Sequence, residues 1–353
     1  MSSTKGYDEI LSTTTADLDT NDKDTAQNSN DLTAYLLVVF PFYTLALLFN
    51  FLTIYSILIG KIYRQYLSNV VLAVICIGAL LNVDGHMYLI LLRWTTSSTS
   101  DQLCSSSIYL RDSGSILIYT HIFILALERI LANLKKQPRS IHNPLLQKAH
   151  LFLILVSFIS MILAFTVPIY TFTHSNFSES YGLCIPVDDK AYKMYINWIY
   201  FGFGHPFVWL SCILLGIFLW RNSAKSYSTL IPMNRIILII NVFSCVNLLI
   251  RTLFDDLIGV AGKRSSNDDV PLSSKIIYTM NLRDFISIFV NLLIGLVFFV
   301  FRPEIRAWLY ESMKRFQGNV NVTVTPQRLD IRNELDDNFP ETDDGNLHFR
   351  SDA

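Results

Sequence analysis

Seven stretches of the chain hold long runs of apolar side chains, near residues 34–60, 69–92, 104–132, 149–172, 195–220, 233–257 and 276–301. A bilayer core about 30 Å thick takes roughly 20 residues of helix, because each residue rises about 1.5 Å. Each run is long enough to cross, and the pattern predicts an all-α membrane fold, a seven-transmembrane helix bundle. The third run is the least apolar: Arg111, Asp112 and Ser113 interrupt it before SILIYTHIFILALE resumes. A span with charges at that depth belongs inside the bundle and away from lipid. The sixth carries Arg251, Asp255 and Asp256 toward one end.

Beyond the last run, RPEIRAWLYESMKRF places Ile305, Trp308, Leu309, Met313 and Phe316 on one helical face with charges opposite, and Pro303 suits a first helical turn. This predicts a short amphipathic helix over 302–316, lying in the cytoplasmic interface. Residues 1–33 and 317–353 are polar, with too little apolar surface to fold alone, and both are expected to be disordered. The predicted organisation is an extracellular tail at 1–33, the bundle at 34–301, the interfacial helix at 302–316 and a cytoplasmic tail at 317–353.

Composition agrees with a membrane protein: 51% of residues are hydrophobic and 16% charged, with mean hydropathy +0.37. The net charge of −1 predicts no bulk attraction to nucleic acid. Residues 1–31 lack a basic segment followed by an apolar one, so no cleavable signal peptide is expected and the first span must start insertion. Fourteen Lys and Arg fall in the short segments on one side, among them Lys61, Arg64, Lys135, Lys136, Arg139 and Lys148, against eight on the other. The excess of basic residues on the cytoplasmic side then orients the chain with its N-terminus outside and its C-terminus inside. Trp94, Trp198 and Trp220 sit at predicted span ends, where an indole favours the lipid interface.

Under that topology Cys104, opening the third span, and Cys184, in the loop after the fourth, are the two cysteines on the oxidising side. A bridge between them would tie the loop over the bundle mouth and stabilise it by about 2–4 kcal/mol; two unpaired thiols are the alternative. Asn176-Phe177-Ser178 in the same loop is a glycosylation sequon, while Asn321-Val322-Thr323 falls in the cytoplasmic tail. No cysteine follows Cys245, which excludes palmitoylation behind the interfacial helix. At the other end of the third span stands Glu128-Arg129, about 37 Å from Cys104 along a straight helix. The pair is open to a plain reading as a neutralised surface ion pair.

A cysteine opening the third helix and an acid-arginine pair closing it at this separation resemble the rhodopsin-like G-protein-coupled receptors, over roughly residues 34–316. Asn50 resembles the family's first-helix asparagine, Pro206 its fifth-helix proline and Asn291 the asparagine of its seventh-helix motif, and these imply helix-packing roles. Several departures stand beside them. Cys76 occupies the place of the sodium-coordinating aspartate, which argues against sodium binding. Cys245-Val246-Asn247-Leu248 lacks the tryptophan and proline of the sixth helix, and Asn291-Leu292-Leu293-Ile294-Gly295 lacks the proline and tyrosine of the seventh. With these losses and Glu128-Arg129-Ile130-Leu131-Ala132, the chain is most similar to nematode serpentine chemoreceptors of the Sra/Sre-type superfamily.

The resemblance implies a chemosensory-type receptor in the plasma membrane that binds a small molecule or short peptide and activates a heterotrimeric G protein. Arrestin or a second receptor copy is a further expected partner besides membrane lipid, and no cofactor or metal is implied. Glu128, Arg129, Lys135, Lys136 and Arg139 would contact the G protein, although the basic residues are equally explained by orientation in the membrane. Arg111, Asp112, Ser115, Arg251 and Asn281 are candidate ligand-binding residues, with Arg111 and Asp112 also readable as a self-neutralising pair. An unpaired Arg111 would favour an anionic or carbonyl-bearing ligand. Asn82, Asp84, His86, Tyr88, Asn247, Tyr278 and Asp284 are expected to complete a polar cluster, mostly by bonding one another. Two other classes compete. An intramembrane zinc hydrolase would need ligands such as His86, His121 and His205, which lie on three spans with no helical pairing. A ligand-gated channel or transporter would share the span number, but transport favours internal repeats, which the sequence lacks.

Overall fold

The computed structural model describes residues 33–60, 67–92, 101–135, 144–174, 177–178, 185–186, 194, 197–222, 237–254, 274–301 and 303–316. Its helices are α1 (Thr33–Ile59), α2 (Leu67–Leu92), α3 (Asp101–Lys135), α4 (Pro144–His174), α5 (His205–Asn222), α6 (Ile237–Phe254), α7 (Ser274–Phe301) and α8 (Pro303–Phe316). Seven of them are long and apolar enough to cross a membrane, the fifth span running Trp198–Trp220. The chain is an all-helical bundle of multi-pass membrane type, and the spans coincide with the hydropathy runs to within a few residues. By spatial contact it divides into a unit ending at Leu309 and a second beginning at Tyr310.

The side chains are arranged inside out relative to a soluble protein. Leu37, Phe40 and Phe51 on α1, Leu151, Phe152 and Phe158 on α4, and Phe201 and Ile213 on the fifth span are exposed, whereas Asn50, Asn82, Asp112, Ser115, Arg251, Asp284 and Asn291 are buried. Lipid solvates the first set as well as a protein core does, so burial is left for the groups that lipid cannot satisfy. The helix richest in interrupting polar residues is therefore the most enclosed. In α3, 78% of the apolar window is buried, against 22% in α1, α4 and the fifth span. The expectation that the third span lies inside the bundle holds for this reason. Around it pack α2, α4 and α5.

Glycine lets α2 and α3 meet backbone to backbone. A Cβ on Gly85 would lie 2.7 Å from Arg111 Cα, and one on Gly114 would lie 2.5 Å from the Asn82 backbone nitrogen. Close approach of this kind substitutes for the hydrophobic drive that lipid removes. Gly295 of α7 does the same against Asn50, whose side chain would stand 2.8 Å from an added Cβ.

The fifth span is not uniform. Trp198–Gly204 winds as a π-helix, and the His205 N–H closes it on the Tyr200 carbonyl. Pro206 follows directly, and a proline inside a helix removes one hydrogen bond and crowds the carbonyl four residues back. The wider turn accommodates that crowding. Between α4 and this span, β1 (Phe177–Ser178) pairs antiparallel with β2 (Ile185–Pro186), Phe177 opposite Pro186, a small hairpin the hydropathy pattern did not announce.

The amphipathic helix forms as expected, but its apolar face is not simply an interfacial one. Ile305 is buried in the main core and Trp308 packs beside it, its ring edge-on to Tyr55 of α1 at 5.5 Å. Within the second unit, the Lys314 ammonium lies 5.5 Å from the centre of the Tyr310 ring. Trp198 and Trp220 are exposed at the two ends of the fifth span, as interfacial anchors should be. The two tails, Trp94, Asn176, Cys184, Lys136, Arg139, Asp255 and Asp256 lie outside the described residues.

Gly85→Ala is expected to destabilise the bundle by about 1–3 kcal/mol through overpacking against Arg111. Gly216→Ala, where an added Cβ meets nothing within 4 Å, is expected to leave stability near its starting value. Thermal unfolding of both variants in detergent compares them, and equal losses would show that the α2–α3 approach is not tight.

Candidate functional site

Two polar groups lie on α3, one toward each end. At the end carrying Arg129, the Arg129 Nε donates to Glu128 Oε2 at 2.7 Å and its Nη2 donates to Ser68 Oγ at the start of α2. Both residues of the pair are buried, Glu128 at 3% and Arg129 at 7% exposure. A surface pair would contribute little and be solvated; this one is enclosed and joined to a second helix. Lys135 is the last residue of α3.

The second group is larger. Arg111 donates from Nε and Nη2 to the two oxygens of Asp112, at 2.7 and 3.2 Å. Arg111 is therefore engaged by its neighbour, as the self-neutralising reading required. Arg251 of α6 reaches the same carboxylate only at 3.6 Å, through Nη2, while its Nη1 donates to Ser115 Oγ at 2.8 Å. The guanidinium also lies 5.4 Å from the centre of the Tyr200 ring, in the π-helix. Arg251 is the largest fully buried side chain among the described residues.

Beneath these charges runs a ladder of amides. Asn82 Nδ2 donates to Ser115 Oγ and to the Arg111 carbonyl, each at 2.8 Å. Its Oδ1 accepts from Asn291 Nδ2 at 2.7 Å. Asn50 Nδ2 in turn donates to the Asn291 carbonyl at 3.1 Å and to the Ala46 carbonyl at 2.8 Å. Asn50 and Asn291 thus hold α1, α7 and α2 together, as their implied packing roles suggest. Cys76 is a free, buried thiol, and the α2 side chain that meets Asn291 is Asn82, almost two turns further along.

A third cluster joins α2 to α7. His86 Nδ1 lies 2.9 Å from Asp284 Oδ1, and Arg283 reaches the same oxygen from Nε at 3.0 Å and from Nη2 at 2.9 Å. The structure therefore brings Arg111, Asp112, Ser115 and Arg251 into one group. The Asn281 backbone carbonyl accepts the Tyr35 hydroxyl at 2.6 Å. Tyr43 donates to Asp84 at 3.0 Å. His121 is a satisfied core histidine, with Nδ1 2.9 Å from the Leu117 carbonyl and Nε2 3.0 Å from Ser157 Oγ, and His205 lies 3.2 Å from Thr252 Oγ1. His86 uses only Nδ1, and its buried Nε2 has no hydrogen-bond partner; among the described residues no three His, Cys, Asp or Glu side chains cluster as metal ligands would.

Sequence reasoning missed Ser68, Tyr200 and Arg283, and also Ser244 and Tyr119, which line a small interior cavity beside Arg251. Ser244, Asn247 and Arg251 recur at helical spacing on one face of α6, a signal that was available. Ser68 offers none, since a serine at a span boundary is ordinary. Cys104 is disulfide-bonded and Cys76, Cys212 and Cys245 are free.

No protein-family model matches the chain, and no curated protein matches it either.

In a double-mutant cycle of Asn82→Ala and Asn291→Ala, the coupling energy is expected at about 1 kcal/mol, the order found for hydrogen bonds between membrane helices. Unfolding in mixed micelles measures it, and additive losses would mean the two amides do not stabilise each other.

Proposed function

We propose that the chain is a seven-helix receptor of the G-protein-coupled kind, which senses a small ligand at the Cys104 end of the bundle and activates a heterotrimeric G protein at the Arg129 end. The observation that carries this reading is the double restraint on Arg129, held by Glu128 on its own helix and by Ser68 on α2. A buried arginine latched at one end of the central helix is a group that can be released, and release converts a packed charge into a contact for a partner. Activation is then a shift between two bundle arrangements, and ligand must bind the active one better.

The helix that moves is α6. Asn241, Ser244 and Arg251 all carry buried polar atoms without a hydrogen-bond partner, so this arrangement leaves α6 less fully satisfied than a polar interior favours. Its movement would open room between α3, α5 and α6, with Lys135, Lys136 and Arg139 adding contacts. In the same reading the N-terminus is extracellular, the membrane is the plasma membrane, Cys104 pairs with Cys184, and Asn176 carries a glycan.

The test is ligand-independent activity. Cells expressing the chain with a panel of G-protein activation sensors should show basal activation of at least one. Ser68→Ala is expected to raise that basal signal and Arg129→Ala to remove it, both at unchanged surface expression. Normal signalling by Arg129→Ala would remove the assigned mechanism. Epitope tags at Met1 and Ala353, probed in intact and permeabilised cells, distinguish this receptor from a channel with its N-terminus inside.

A further inference from the structure

A small cavity of about 10 Å³ lies between α2, α3, α6 and α7, and every residue that lines it is buried. That is room for one water-sized particle. Arg251 and Ser244 line it, and Arg251 Nε and Nη2 and the Ser244 hydroxyl have no hydrogen-bond partner. The Asn247 amide completes the α6 side.

The neighbouring acceptors are largely spent. Asn82 Oδ1 takes Asn291, Asn247 Oδ1 takes Ser287, and Ser115 Oγ takes both Asn82 and Arg251 while donating to the Arg111 carbonyl. Tyr119 also lines the cavity, its hydroxyl engaged with Arg251 and Ser115, and the Arg251 guanidinium makes what remains positively charged. Asp112 does not line the cavity, and its carboxylate is gripped bidentately by Arg111 and met by Arg251 only at 3.6 Å. Arg251 Nε and Nη2 make no hydrogen bond, and Nη2 meets Asp112 only at ion-pair distance, 3.6 Å; burying a guanidinium so is costly, and the cost falls when a negative charge meets those donors.

We propose that this cavity binds one small monovalent anion of halide size, coordinated by Arg251, Ser244 and Asn247. A carboxylate head from a larger ligand does not fit the volume. A water molecule fits but leaves the charge unbalanced, and a cation is repelled by the guanidinium. The anion links α6 to the amide ladder of α2 and α7, so its presence holds α6 in the packed position. The site does not require G-protein coupling; it draws on the same unpartnered Ser244 and Arg251 atoms as the argument for α6 movement, and thermal unfolding reads it without any signalling measurement.

The experiment uses the purified full-length chain in lipid nanodiscs, unfolded thermally in chloride, bromide or gluconate at a fixed ionic strength of about 0.15 M. Chloride and bromide are expected to raise the Tm saturably above gluconate. Arg251→Gln should weaken the halide effect at least about tenfold, since it keeps donors but loses the charge. Should that variant fail to fold, Ser244→Ala, which removes one donor and no charge, is expected to weaken it severalfold. Anomalous scattering from bromide-soaked crystals should place the ion among Arg251, Ser244 and Asn247. Identical Tm values in all three anions, a water only in the cavity, or a halide effect unchanged in the folded variants would each overturn the assignment.

Discussion

The interior of this bundle depends on the side chain of Asn82. Its two N–H groups go to α3, at Ser115 and the Arg111 carbonyl, and its oxygen goes to α7, at Asn291. Asn291 passes the connection to Asn50 on α1, and Ser115 passes it to Arg251 on α6. One amide therefore organises five helices. Lipid exerts no hydrophobic force between helices, so polar bonds and close backbone contact must set their positions. Asn82 stands where both occur together, since Gly114 of α3 sits against its own backbone nitrogen.

That geometry explains why a chain with an arginine, an aspartate and several amides at mid-span depth folds at all. Charged groups at the bilayer centre are tolerated when they pair or face the bundle interior. Arg111 with Asp112 and Arg283 with Asp284 each place opposite charges on adjacent residues, so neutralisation is built into the helix before it packs. Arg251 has no acid beside it in sequence. Its compensation has to come from other helices, through Ser115, Asp112, Tyr200 and the cavity.

The sequence read well where one variable decides. A run of apolar residues long enough to cross the bilayer has few alternatives, which is why all seven spans and the enclosed third helix were legible. The site was legible in part: Arg111, Asp112, Ser115 and Arg251 come together, and the Arg111–Asp112 pair was readable from adjacency, but Ser244 and Tyr200 were missed. Arg111 has its acid beside it in sequence, whereas the contacts of Arg251 with Ser115, Asp112 and Tyr200 exist only once α6 packs against α3 and the fifth span. Asn291 was read as a packing residue, but its partner Asn82 depends on the register of α2 against α7. Ser68 was invisible because its role exists only when α2 and α3 lie side by side. The hairpin at 177–178 and 185–186 was equally hidden, since strands of two residues leave no periodicity.

Where the bundle is able to deform is also set by local geometry. No proline interrupts α6 or α7, and α7 runs as an unbroken helix of 28 residues. The irregular backbone sits in the fifth span, in the π-helix ahead of Pro206. Tyr200 of that segment meets the Arg251 guanidinium, and Gly204 lies against Leu248, whose methyls would stand 3.0 Å from an added Cβ. The same arginine that lacks a sequence-adjacent acid is thus in contact with a span that winds partly as a π-helix. Any change in what neutralises Arg251 acts on Tyr200 directly, and a π-helix turn absorbs a shift more easily than a continuous α-helix does. The contacts of α6 with the fifth span thus involve backbone off the α-helical pattern, whereas α2, α3 and α7 are joined by the hydrogen bonds of Asn82.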